Sequence, residues 1–131
     1  MRKRLLSLLL LSICGSMLFA QEPLDIDDVE QVPLGDFTYQ WRNIYDRTPL
    51  HGKCRIILSY RSYTIAHFNK DGILDGLYEK YEDNHLVQKL TYVKGILRGK
   101  GYEYYTDGTV KKECVWNEQG KIDGVDDRIQ P

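Results

Sequence analysis

The feature that most constrains this chain is that it repeats itself every 24 residues. Tyr78 recurs as Tyr102, Glu79 as Glu103, Tyr81 as Tyr105, Asp83 as Asp107, Leu86 as Val110 and Tyr92 as Trp116. One step earlier, Phe68 stands at the place of Tyr92 and Gly52 at that of Gly76. The joints between units repeat too. Asp71-Gly72-Ile73-Leu74-Asp75-Gly76, Lys94-Gly95-Ile96-Leu97-Arg98-Gly99 and Gln119-Gly120-Lys121-Ile122-Asp123-Gly124 carry glycines at matching places. Arg47-Thr48-Pro49-Leu50-His51-Gly52 is a degenerate earlier copy. A period of this length, punctuated by turn glycines, marks a stacked array of small supersecondary units.

Each unit reads as a β-hairpin. In the last one, an aromatic segment (Gly101-Tyr102-Glu103-Tyr104-Tyr105) reaches Asp107-Gly108 and returns to Trp116. Asp-Gly between such segments predicts a two-residue type I′ turn, in which both central residues take positive φ. The pattern predicts hairpins of Cys54–Ser59 with Tyr63–Phe68, Leu77–Glu82 with Leu86–Val93, and Tyr102–Thr106 with Val110–Trp116. Residues 37–45 alternate apolar and polar but lose phase near Asn43, which predicts a capping strand, a partial leading repeat, with a bulge there. Both sides of these strands mix polar and apolar residues, and no stretch holds a helical period. The expected fold class is all-β, an open antiparallel meander of repeated hairpins forming a single twisted sheet. The repeat domain spans 37–124, and 125–131 is a polar tail.

Gly99-Lys100-Gly101-Tyr102 through Asp107-Gly108, with Trp116 and the Gly120–Gly124 turn, resembles the MORN-repeat family, and more closely its bacterial variant, often labelled antitoxin-like. The resemblance runs roughly from Thr48 to Gly124. Tyr102, Tyr105 and Trp116 stand at the family's aromatic positions, whereas Cys54 and Ile57 replace the two tyrosines in the first unit. It implies an elongated sheet of hairpins that makes contacts with proteins or membranes, and it implies no shared catalytic residues.

The chain begins with Arg2-Lys3-Arg4 and an uncharged apolar run from Leu5 to Phe19. That run is shorter than the ~20 residues a membrane span needs and reads as a secretory signal peptide, residues 1–20, cleaved after Ala20. Lipidation at Cys14 is the rival reading, disfavoured because the large Ile13 precedes the cysteine. The mature protein is expected to be exported, periplasmic or secreted. Of 18 Lys+Arg, three leave with the signal, so 15 face 19 Asp+Glu, a net charge of −4. Without a basic block, nucleic acid is not an expected partner, and membrane contact has no support from charge. Residues 21–36 read as an acidic linker, with pairing to a sheet edge as the other reading. Asp25, Asp27 and Asp28 lack the glycine and glutamate of a calcium loop.

No catalytic constellation emerges. His51 and His85 fall in turns at opposite ends of the strands, His67 lies on a strand, and no metal or cofactor is expected. Cys54 reads as a small packed residue rather than a nucleophile. The glycines precede no helix and so form no phosphate cradle. The expectation is therefore a protein that is not an enzyme and has no evident small-molecule substrate. Tyr78, Tyr81, Tyr92, Tyr102 and Tyr105 follow the repeat and serve the sheet. Tyr60, Tyr63 and Tyr104 fall outside its phase and are the candidate interaction face. The expected role is to bind or scaffold another envelope protein through a sheet face or edge. An antitoxin or immunity-type role against a toxin partner is the alternative. Five strand spacings would separate Cys54 from Cys114, so no disulfide is expected between them.

Overall fold

The computed structural model describes residues 22–127. The expected signal peptide, its Ala20 cleavage site, Cys14 and the last four residues lie outside the described part. Among the described residues eleven strands run in chain order: β1 (Leu24–Asp25), β2 (Val29–Gly35), β3 (Thr38–Asn43), β4 (Gly52–Ser59), β5 (Ser62–Phe68), β6 (Leu74–Glu82), β7 (His85–Val93), β8 (Ile96–Leu97), β9 (Gly99–Tyr104), β10 (Val110–Trp116) and β11 (Ile122–Asp127). One open sheet carries nine of them in the order β1-β4-β5-β6-β7-β9-β10-β11, with β8 beside β7. From β4 onward every pairing is antiparallel, an all-β meander of hairpins.

The repeat sets the register. Gly52 faces Phe68, Gly76 faces Tyr92 and Gly99 faces Trp116 across their hairpins. Each unit thus opposes a glycine to a large aromatic in the register, and the Trp116 ring itself lies over Gly101, where a Cβ would come within 2.5 Å of it. The hairpin tips depart from the expected chemistry. Asp107 keeps a negative φ; Gly108 N donates to Tyr105 O at 2.9 Å and Tyr105 N to Thr109 O at 2.9 Å, a three-residue loop closed by Gly108 at φ +90°. The same bonds close Asn69–Gly72 and Asn117–Gly120. Two-residue turns with both φ positive occur instead at Asp36-Phe37, Asp83-Asn84 and Lys94-Gly95.

The acidic linker expected over 21–36 is corrected. Leu24 and Asp25 pair in parallel with Ile56 and Ile57, a 3-10 turn follows over Ile26–Asp28, and β2 pairs with β3 in a separate two-stranded sheet. The capping strand is half of that hairpin, and the hairpin's bulge lies on β2 between Pro33 and Gly35 rather than on the capping strand near Asn43. The hairpin is anchored to the main sheet by backbone bonds, Trp41 N to Gly72 O at 2.7 Å and Leu50 N to Trp41 O at 2.9 Å. Beneath it sits the core: Leu50, Cys54, Ile56, Ala66, Phe68 and Leu74, with Leu24, Ile26, Val29 and Trp41 packed against them. The Trp41 and Phe68 rings lie 5.5 Å apart. Ile56 is fully buried, a contribution of roughly 1.5–3 kcal/mol. The sheet therefore has two layers over its first half, where a single layer was expected. The segment after Gly124, expected as a polar tail, continues β11 to Asp127.

Candidate interaction surface

Two surfaces of the sheet bear on binding among the described residues: the face away from the β2–β3 hairpin, and the outer edge of β11. On the open face one cross-strand row runs through seven strands: Arg55, Ile65, Glu79, Lys89, Tyr102, Glu113 and Asp126. Opposite charges meet at Glu79 and Lys89, and Lys100 Nζ lies 3.8 Å from Glu113. Such cross-strand pairs contribute roughly 0.2–1 kcal/mol each, and less for exposed ion pairs.

The tyrosines of this face form two pairs. Tyr63 stacks on Tyr81 with centroids 4.9 Å apart, and the Arg55 guanidinium caps Tyr63 at 4.1 Å. Tyr102 and Tyr104 lie 6.0 Å apart on β9. Burial, with Glu79 and Tyr63 nearby, raises the Tyr81 phenol above its usual range. Burial raises Tyr104 as well, reinforced by Tyr102 and Glu79. These phenols stay protonated at neutral pH and act as amphipathic contact groups rather than acids or bases.

Of the three tyrosines singled out by sequence, Tyr63 and Tyr104 share the open face. They stand three strand steps apart, roughly 14 Å at ~4.8 Å per step. Tyr60 projects from the β4–β5 tip, 93% exposed, beside Arg61. The structure does not gather the three into one patch. Sequence reasoning missed Phe37, 95% exposed at φ +63° on the β2–β3 tip, a conformation that a bulky residue rarely takes. Its signal was Gly35-Asp36, a turn pair immediately before an aromatic.

Nucleophiles and ligands are dispersed. Cys54 is buried, and burial pushes its thiol pKa up, partly offset by a backbone hydrogen bond at His51; its Sγ also donates to His51 O at 3.5 Å. His67 Nδ1 lies 3.1 Å from Leu77 O. Asp25 accepts from Asp27 N, and Asp28 accepts from the Tyr45 hydroxyl at 2.9 Å, so the N-terminal acids act in local structure. Among the described residues, no three His, Cys, Asp or Glu converge as a metal site. No described helix is long and apolar enough to cross a membrane.

Sequence reading expected an open sheet edge without naming its strand, and the margin falls at β11. β11 pairs with β10 along one side, and among the described residues no strand lies along the other. The opposite margin of the sheet is different, because β1 covers the middle of β4 there.

No family model matches the chain. No curated protein matches it either. Several solved structures resemble it distantly, among them the following two. One, described as TarM, is 14% identical with a TM-score of 0.43, over 89% of this chain and 21% of that one. A mutant of S. aureus TarM, in complex with Fondaparinux, alpha-GlcNAc-glycerol and UDP, is 13% identical with a TM-score of 0.29. That likeness covers 87% of this chain and 18% of the mutant's. This chain spans about a fifth of either length, and likeness at this level says nothing of activity.

Proposed function

We propose that this chain is an exported, non-enzymatic repeat module of the MORN-like kind that binds another protein through its open sheet, docking it along β11. The observation carrying the proposal is the asymmetry of the sheet margins: β1 covers β4, while the outer side of β11 has no neighbouring strand among the described residues. An uncovered strand presents a row of backbone donors and acceptors that an extended segment of a partner satisfies by pairing. The open face, with Tyr63, Tyr81, Tyr102 and Tyr104, supplies further contact area of the kind enriched at interfaces. Nucleophiles, bases and metal-ligand types lie scattered across the sheet, which favours a binding role over a catalytic one.

The test is a cross-linked pull-down of the mature protein from the cell envelope. A stoichiometric partner, lost when Val125→Pro interrupts β11 but retained in Tyr60→Ser, is the expected result. Recovery of the bait alone would remove the proposal's main support.

A further inference from the structure

We infer that the cleft between the β2–β3 hairpin and the β7–β8 joint is a binding site for an uncharged saccharide. The cleft lies on the hairpin side of the sheet, and the inference does not depend on the β11 edge.

The hairpin builds one wall. Gln31 pairs with Trp41 and Pro33 with Tyr39, so Gln31, Tyr39 and Trp41 share one face of β2–β3. Trp41 packs that face on the core through Phe68. Beside it opens a cleft of about 450 Å³, with Tyr92, Ile96 and Gly120 on its other side. That volume falls in the roughly 300–1,000 Å³ range of small-molecule sites. Both walls are fixed in advance. Trp41 N donates to Gly72 O and Gly95 N to Leu74 O, each at 2.7 Å. The hairpin tip is docked as well: a Cβ on Gly95 would lie 3.0 Å from Thr38 Cγ2.

The lining selects the ligand. Four aromatic residues contribute to it, Phe37, Tyr39, Trp41 and Tyr92. Their ring faces carry negative charge and favour the slightly positive C–H groups on the apolar side of a sugar ring. Gln31, Asp36 and Gln119 are exposed lining residues, so their side chains are open to a ligand. An amide both donates and accepts and a carboxylate accepts, which matches hydroxyl groups that do both. Among the described residues that line the cleft there is no Lys or Arg, which disfavours an anion. A quaternary ammonium group would use the rings and the acid but leave both amides idle.

Phe37 supplies a second observation. It takes φ +63° in a turn where glycine would be unstrained, and its side chain is 95% exposed, so packing within the chain does not account for it. Backbone strain of this kind clusters at ligand contacts.

The test is isothermal titration of the mature protein with cellotetraose, chitotetraose, maltotetraose and mannotetraose, beside tetragalacturonate, choline and an end-blocked decaproline. At least one uncharged tetrasaccharide is expected to bind at one site per chain, with the three comparators about ten-fold weaker or absent. Phe37→Gly separates a ligand contact from a structural role. It removes the ring and relieves the left-handed strain, so the melting temperature should hold or rise while affinity falls about ten-fold or more. Tyr39→Ala should weaken binding to a similar extent. Saccharide binding unaffected by both variants would overturn the assignment of the cleft. Choline or decaproline binding more tightly than every saccharide would overturn the ligand class. Failure of all four uncharged tetrasaccharides to bind would overturn the inference and leave the β11 reading untouched.

Discussion

Gly72 and Gly108 both close hairpin loops at positive φ, yet they are not equivalent. A Cβ on Gly108 meets nothing within 4 Å, whereas one on Gly72 would lie 2.4 Å from the Trp41 carbonyl oxygen. Gly108→Ala should therefore cost about 1 kcal/mol, the left-handed strain alone. Gly72→Ala should cost roughly 2–3 kcal/mol, because it also disturbs the bond from Trp41 N to Gly72 O. Equal urea midpoints for the two variants would contradict this. Asp107 illustrates a pH-dependent contribution. The Thr109 hydroxyl and backbone N–H both donate to its carboxylate, the latter at 2.9 Å, and hold its pKa below the usual carboxylate value. A folded-state pKa below the unfolded one stabilises the fold above the unfolded value, and that contribution disappears as pH falls through the lowered value. Asp107→Ala should accordingly lower the melting temperature at neutral pH, and the difference should shrink once the carboxylate is protonated. A gap that widens on acidification would reverse the assignment. The same residue shows a limit of sequence reading. Asp-Gly fixes that the chain turns here, but whether the loop has two or three residues depends on which backbone pair closes it, and Tyr105 with Thr109 closes it one residue early.

Among the elements, those of the first half carry the stability. Among the described residues, every buried apolar side chain except Leu90 lies between Leu50 and Leu74, under the β2–β3 hairpin. Ile56→Ala should cost roughly 2–5 kcal/mol, while Val125→Ala on half-exposed β11 should change stability by less than about 0.5 kcal/mol. Amide hydrogen exchange should be slowest in β4–β6 and fastest in β11, a gradient that uniform protection would refute. β4, β5, β6, β7, β9 and β10 were legible in sequence because the 24-residue repeat fixes both their spacing and their phase, whereas β8 falls in the Lys94–Gly99 segment read as a connecting turn. β1 and β2 were not. The apolar residues Leu24, Ile26 and Val29 straddle a 3-10 turn, so they keep neither the period of a strand nor that of a helix. Pro33 and the acids Asp25, Asp27, Asp28 and Glu30 further masked a segment whose pairing with β3 depends on the Asp36-Phe37 turn. The candidate site was legible only in part: aromatic phase singled out Tyr63 and Tyr104, but which strand is left at the margin is a property of the whole sheet.

Across the whole molecule, the account depends on the sheet remaining open. In the strand order, five steps separate Cys54 on β4 from Cys114 on β10, roughly 24 Å at ~4.8 Å per step, against the ~7 Å limit for a disulfide. Both residues are thiols, Cys54 buried and Cys114 half-buried. An alkylating reagent should thus modify Cys114 first and reach Cys54 only as the protein unfolds; equal rates in the native state would contradict this placement. Closure into a barrel would bring β11 against β4 and abolish the docking edge, so openness is the most direct thing to measure. Arg55 and Asp126 mark the two ends of one cross-strand row, six steps apart. Spin labels at these two positions, in a background with both native cysteines replaced, report the span by pulsed dipolar spectroscopy. The account predicts a single distance near ~29 Å, broadened by the label linkers. A distance below ~15 Å would mean a closed sheet, and neither the β11 edge nor its proposed partner would survive that result.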